Sequence, residues 1–266
     1  MESRTSVNPH AAAPVTTVDL PSAEALAAAS SALTVALIGI SLAIVGSAIV
    51  AATWSRSLSG WALGGVAFIL SQTAQVVALV LFGPLITAFA SAPLQEASRA
   101  LILSTAARRV RGERPGVAFG FGHGAIDLLT SSLIPTLSAL IILGGIRDGG
   151  IFVGLNAEVT QKVIAVGVYL ASQDLFSAAL LIVQGAGMMA LHALLTLIVL
   201  RSVMRGGGSR AIGRGLLLPV AIHLPVAVAR TLFPMAALPV LLAALLVAAL
   251  LYRRGQAAMA ELAPNQ

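Results

Sequence analysis

The chain has 266 residues, of which 58% are hydrophobic and 10% are charged, and its formal net charge is +6. Soluble domains carry charge on about a quarter of their residues, so this composition excludes an ordinary soluble enzyme. The positive charges fall in short clusters between long apolar runs, which is typical of cytoplasmic loops and excludes a nucleic-acid-binding surface. The sequence contains no cysteine, which excludes disulfides and thiolate chemistry.

Apolar runs of about 20 residues, the length that crosses a bilayer, predict an all-α, polytopic membrane bundle of about seven transmembrane helices. We expect one transmembrane domain over residues 30–254, a flexible tail at 1–29 and a short cytoplasmic tail at 255–266. The predicted spans are 31–52, 61–82, 85–107, a fourth that starts near 116, 175–200, 215–233 and 236–252. Charged side chains interrupt residues 151–174, which are expected to form a loop and an interfacial helix that does not cross the membrane.

The orientation of the spans follows from clusters of arginine. These clusters follow the third, fifth and last predicted spans and comprise Arg108, Arg109, Arg111, Arg114, Arg201, Arg205, Arg210, Arg214, Arg253 and Arg254. Because cytoplasmic loops are enriched in Lys and Arg, we expect the N-terminus outside and the C-terminus in the cytoplasm.

Ionisable residues also lie inside the predicted spans, where they are costly and usually functional. Those that indicate a site are Glu96 and Arg99 in the third span, His123 and Asp127 in the fourth, His192 in the fifth and His223 in the sixth. The spacing of four residues places His123 and Asp127 on one helical face. The spacing of three residues allows Glu96 and Arg99 to pair, which on its own indicates a neutralised structural couple.

The three histidines share one depth in the membrane. At 1.5 Å per residue from the cytoplasmic helix ends, His123 lies about 10 Å deep, His192 and His223 lie about 12 Å deep, and Glu96 lies about 16 Å deep. These depths predict that the four side chains converge in one cavity in the cytoplasmic half of the bundle, with the other ionisable residues around them.

Two further features concern the helices themselves. Gln72 and Gln75 share one face of the second span, where hydrogen bonds between helices are the favoured interpretation and substrate binding is the alternative. Pro135 is expected to kink the fourth span because proline lacks a backbone donor.

The order and spacing of these motifs resemble the YhfC-type membrane peptidases, which are related to the type II CAAX prenyl endopeptidases and the bacteriocin-processing membrane proteases. The resemblance covers about residues 60–250 and rests on Gln95-Glu96-x-x-Arg99, on Phe119-x-x-x-His123 and on single histidines in two later helices. It implies an integral protein of the bacterial cytoplasmic membrane. It also implies an endopeptidase whose substrate is a membrane-embedded or lipid-anchored peptide.

The same resemblance implies roles for the ionisable residues. The catalytic residues are then Glu96, His123, Arg99 and Asp127, and the candidate zinc ligands are His123, His192 and His223. Glu96 would activate the water. The histidines would either bind Zn²⁺ or stabilise the oxyanion, so that a metal-dependent and a metal-independent glutamate mechanism both stay open.

Three other classes of function remain as alternatives. Gln95 stands where the family has a glutamate, so the chain could be an inactive member that acts as a membrane binding or scaffold protein. His192 and His223 at equal depth permit a bis-histidine haem protein. A proton-coupled transporter would use Glu96, Asp127 and His123 as a relay.

Overall fold

A computed structural model describes residues 19–204 and 208–261 of the chain. The described residues form helices and no strands, which confirms the predicted all-α class. The α-helices are α1 (Ala23–Thr53), α2 (Leu58–Ser104), α3 (Glu113–Leu128), α4 (Ile134–Arg147), α5 (Ala157–Ala171), α6 (Leu175–Met204), α7 (Gly208–Leu232) and α8 (Ala237–Glu261). Short 3₁₀ turns lie at Gly150–Phe152 and Pro234–Ala236.

The long helix α2 contains the predicted second and third spans. Gly83, with φ of 79° and ψ of 177°, interrupts it just before Pro84, and glycine adopts such a positive φ without steric cost. Ala67 on the first arm (58–82) and Ala100 on the second arm (84–104) share one buried cluster, so the chain doubles back at the break. Six helices in the described ranges are long and apolar enough to cross a membrane, and α2 supplies two of the crossings. The predicted bundle of about seven spans is therefore confirmed.

The fourth predicted span is built from three pieces. A π-helical turn at Leu129–Leu133 joins α3 to α4, and Pro135 occupies the first turn of α4. A proline inside a continuous helix would lack its hydrogen bond and clash with the preceding turn. The π-helical turn accommodates this defect, so the predicted distortion lies just before Pro135.

Glycines on α3 let its backbone touch two neighbouring helices. A Cβ atom added at Gly122 would overlap the carbonyl group of Trp61 on the first arm of α2. One added at Gly120 would overlap the backbone of Ala193 on α6. Such close approach fixes α3 between α2 and α6, and it places His123 and Asp127 at the centre of the bundle.

Several predicted boundaries differ from the structure. The first helix begins at Ala23, well before the predicted start at 31, because the Ser22 hydroxyl caps it by accepting a hydrogen bond from the Ala25 N–H at 3.1 Å. The last helix continues to Glu261 instead of ending at 252. Residues 151–174, in contrast, agree with the prediction, because they contain α5, a helix of 15 residues that is not among the candidate spans. Most of the predicted N-terminal tail, the end of the C-terminal tail and Arg205 lie outside the described residues.

The orientation of the bundle is a prediction that reporter fusions can test. We expect cytoplasmic signals from fusions after Arg114 and after Arg214, because arginine-rich loops stay on the cytoplasmic side. A fusion after Gly83, at the break in α2, is the matched control and is expected to report the opposite side. Equal signals at Gly83 and Arg114 would contradict the topology.

Candidate active site

The three predicted intramembrane histidines lie side by side in the core. The ring centroids of His123 and His192 are 4.7 Å apart, and those of His192 and His223 are 5.2 Å apart. All three side chains are buried, and Phe68 packs edge-on against His123. The sequence argument from matched depth correctly predicted this convergence of α3, α6 and α7.

Glu96 and Arg99 connect these histidines into one polar network. Both side chains are completely buried on the second arm of α2, and the Arg99 guanidinium is ion-paired with Glu96 Oε2. Arg99 Nη2 lies 2.9 Å from His192 Nδ1, and His223 Nδ1 lies 2.9 Å from Glu96 Oε1. The pair is therefore no isolated structural couple, because Arg99 is also hydrogen-bonded to His192 and Glu96 to His223.

These partners determine the tautomers of two histidines. Arginine only donates hydrogen bonds, so His192 Nδ1 accepts from Arg99 and its Nε2–H donates to Asp127 Oδ2 at 3.3 Å. A carboxylate only accepts, so His223 Nδ1–H donates to Glu96. The lone pair of His223 is consequently on Nε2, which has no partner among the described side chains.

Arg230, which the sequence analysis did not single out, completes the network. It donates to Asp127 Oδ2 at 3.0 Å and to Ser131 Oγ at 2.8 Å. Its position offered a signal, because Arg230 lies inside an apolar span and seven residues after His223, which places both on one helical face. The buried Asp127 carboxylate thus accepts hydrogen bonds from both the Arg230 guanidinium and the His192 imidazole.

A polar cavity of about 390 Å³ adjoins the network. Its wall includes Gln72, Gln75, Gln95, Asp127, Gln184, His223 and Arg230. Glu96, in contrast, is fully buried and is not part of the wall. His223 is therefore the histidine of the network that faces this space.

The cavity extends in a direction that the sequence analysis did not anticipate. Ser91, Ser131 and Thr231 line it, and each lies farther from the arginine-rich end of its helix than the network residue nearby in sequence. The cavity thus extends away from the arginine clusters, and its position in the cytoplasmic half of the membrane stays a prediction. The depth count placed the histidines but carried no information about where helices separate.

The glutamines of the second span also differ from the favoured interpretation. Gln72 and Gln75 were expected to bond to neighbouring helices, yet their side chains make no hydrogen bond within the described part of the protein. Both line the cavity instead, and the amide nitrogen of Gln75 is buried without a partner among the residues that the structure describes. The helices around them separate at this level and leave no acceptor within reach.

Gln95 is held beside His123. Its Oε1 lies 3.4 Å from His123 Nε2, and its Nε2 donates to Ser91 Oγ at 3.3 Å. The second nitrogen of His123, Nδ1, is buried with no partner among the described atoms. Gln95 therefore presents a neutral amide to the cavity, at a position where the resemblance predicts a carboxylate.

The donor atoms as arranged do not fit a metal ion. Arg99 occupies the lone pair of His192 Nδ1, and both oxygens of Glu96 are bonded to Arg99 and His223. Within residues 19–204 and 208–261, no group of three His, Cys, Asp or Glu side chains is placed to hold a metal. The predicted zinc ligands are neighbours, but a guanidinium stands among them where a second cation would be repelled.

The histidine pair does not fit a haem either. His192 and His223 are in edge-to-face contact, with their ring planes at 84°. A porphyrin between two axial ligands requires its full thickness between the imidazoles. The direct contact of the rings leaves no such space.

The fold and the site define a polytopic membrane protein with a buried network of histidines, carboxylates and guanidinium groups beside a polar cavity. The chain matches the YhfC intramembrane metalloprotease family over residues 29–222 and belongs to that family. The match confirms the resemblance described above, and it ends one residue before His223. No curated protein and no solved structure matches the chain.

Proposed function

We propose that the protein is an intramembrane endopeptidase that hydrolyses a peptide bond of a membrane-embedded or lipid-anchored peptide. The observation that carries this proposal is the pair of Glu96 and His223, in which a buried carboxylate orients a histidine that faces a polar cavity. Membership of an intramembrane metalloprotease family supports the same reaction class. The arginine clusters and the family are consistent with a bacterial cytoplasmic membrane.

In the proposed reaction, His223 Nε2 is the general base. It takes a proton from a water in the cavity while the water oxygen attacks the carbonyl carbon of the scissile bond. Glu96 holds the Nδ1–H tautomer and stabilises the imidazolium that forms. The imidazolium then returns the proton to the leaving nitrogen as the C–N bond breaks.

This proposal changes the role that the sequence analysis gave to Glu96. The Glu96 carboxylate is completely buried and both of its oxygens have partners, so it is placed to orient a base and not to contact water. Because the donor atoms as arranged do not fit a metal, no step of the proposed reaction uses one. The family description nevertheless implies a metal, and metal analysis of the purified protein tests that point.

Gln95 supplies a donor for the oxyanion. Its amide lines the cavity together with His223, and an amide N–H stabilises negative charge that a carboxylate would repel. Under this proposal Gln95 therefore contributes to catalysis. Under the inactive-member alternative, the same glutamine abolishes activity because it replaces a catalytic carboxylate.

The test is cleavage in reconstituted vesicles. Wild type is mixed with a panel of labelled single-span peptides that differ in the position of a helix-destabilising Gly-Pro pair, and products are identified by mass spectrometry. We expect wild type to cleave at least one peptide. Gln95→Glu should lower kcat about a hundredfold, as expected for loss of an oxyanion donor.

Two results would count against the proposal. Cleavage by Gln95→Glu but not by wild type would favour the inactive member. No cleavage by either protein across the panel, with both folded, would overturn the endopeptidase proposal.

A further inference from the structure

We propose that Gln72, Gln75 and Gln184 form a wall of the cavity that binds the main chain of an unwound substrate segment. This inference rests on the proposed function, and it identifies the substrate feature that the site recognises. The ligand class is an uncharged, extended stretch of peptide backbone, recognised with little regard to its side chains. We call these three residues the glutamine wall.

The glutamine wall is built from two helices that face the same space. Gln72 and Gln75 lie three residues apart on the first arm of α2, and Gln184 lies on α6. All three line the cavity of about 390 Å³ that also includes His223. A ligand that contacts the glutamine wall therefore lies beside the proposed base.

The side chains of the glutamine wall have unused hydrogen-bonding capacity. Within the described ranges, none of the three makes a hydrogen bond to another residue, and the amide nitrogen of Gln75 is buried without a partner there. A polar group left unpaired away from water is costly, so a buried amide of this kind is normally satisfied by something. The unpaired amide nitrogen of Gln75, together with the side-chain amides of Gln72 and Gln184 that line the same cavity, is available to a ligand that carries both donors and acceptors.

The chemistry of the proposed reaction indicates what that ligand is. A peptide bond within a transmembrane helix becomes accessible only after local unwinding, which exposes N–H and C=O groups in a medium without water. Each exposed group is expensive unless it is bonded. A glutamine side chain carries one carbonyl and one NH₂ group, and it can therefore pair with both groups of a peptide unit.

The charge of the cavity favours a neutral ligand. Its guanidinium, Arg230, is already paired with Asp127 and Ser131, so that no uncompensated charge is offered to an ionic substrate. The remaining wall consists largely of amides and hydroxyls, including Ser91 and Thr231. We therefore expect selection for substrates whose helix unwinds easily instead of for a charged motif.

The experiment measures peptide binding in the absence of turnover. The protein carries His223→Ala, and the probe is a fluorescent single-span peptide with a central Gly-Gly-Pro, reconstituted in phosphatidylcholine vesicles. We expect this protein to bind the probe more tightly than an uninterrupted Leu-Ala span. Adding Gln72→Leu and Gln75→Leu should weaken binding of the probe about tenfold or more, in line with the loss of net hydrogen bonds.

Two matched controls separate backbone recognition from general damage. Thr73→Val changes the same turn of α2, but its hydroxyl only bonds to the Ile69 carbonyl and its side chain is exposed, so binding should not change. A probe with one ester in place of a central amide lacks a single N–H. The ester probe should bind the parent protein more weakly than the amide probe does. The two probes should bind the double glutamine variant with equal affinity.

Equal binding of the amide probe by the parent and the double variant, with both proteins folded, would contradict the proposal that the glutamine wall binds the substrate main chain. An ester effect of equal size in both proteins would do the same. Because neither measurement requires cleavage, these outcomes remain distinguishable from failure of the endopeptidase proposal.

Discussion

Replacing His223 with alanine is expected to lower kcat for peptide cleavage by about a thousandfold or more, because general acid–base catalysis by a positioned side chain contributes on the order of 10² to 10⁴. His223 alone among the three neighbouring histidines lines the cavity, and its Nδ1–H donates to Glu96 at 2.9 Å. The measurement is single-turnover cleavage in vesicles with the peptide that wild type cleaves.

Glu96→Gln is expected to cause a loss of similar size for a different reason. Arg99 can only donate, so it will attract the carbonyl oxygen of the new amide and leave the NH₂ group facing His223. The NH₂ group will donate to Nδ1, and the ring proton will move to Nε2, where it blocks proton uptake. A wrong tautomer of this kind costs about 10⁴ in a serine protease triad.

Added imidazole distinguishes the two roles. The space left by His223→Ala adjoins the cavity, so free imidazole should restore part of the activity of that variant. Imidazole should not rescue Glu96→Gln, in which the native ring is present but carries its proton on the wrong nitrogen. Full activity of His223→Ala, with loss in Glu96→Gln alone, would return the role of base to Glu96.

Arg99→Leu is expected to lower the free energy of unfolding by about 3 to 5 kcal/mol, the cost of breaking a buried ion pair from one side. Arg99 is completely buried, and its guanidinium bonds to both Glu96 and His192. Its removal leaves a carboxylate in the core with His223 as its remaining hydrogen-bond partner. Thermal unfolding in detergent measures the loss.

The double variant Arg99→Leu with Glu96→Gln isolates the cause of that loss. It removes both charges and should recover most of the stability, because a neutral buried pair requires less compensation. Arg147→Leu is the matched surface control, since its pair with Asp148 is exposed and worth little. A loss of under 1 kcal/mol in Arg99→Leu would show that the network does not stabilise the fold.

The sequence was most informative where residue chemistry and helix geometry coincide. Apolar length identified the spans, and counting residues from helix ends brought His123, His192 and His223 to one level, as found in the structure. These inferences work because the rise of a helix is fixed and because charge in a membrane is rare. The spacing of Glu96 and Arg99 likewise predicted their ion pair.

The remaining features depend on how helices pack, which a single sequence does not encode locally. The contact of Arg230 with Asp127 joins α7 to α3 across 103 residues, and the partners of Arg99 include His192 at a separation of 93. The sequence around Gln72 does not show whether its side chain contacts another helix or a cavity. The capping role of Ser22 was readable from sequence, but the alanine-rich composition of the segment obscured it.

The glycine contacts of α3 have a mechanical consequence. The backbone of α3 touches α6 at Gly120 and α2 at Gly122, so α3 cannot slide along either helix without steric overlap. Arg230 on α7 bonds to Ser131 on the π-helical turn and to Asp127 at the end of α3. Because α3 is fixed by its backbone contacts, a displacement of α7 would break both bonds together and would leave His192 as the remaining hydrogen-bond partner of Asp127.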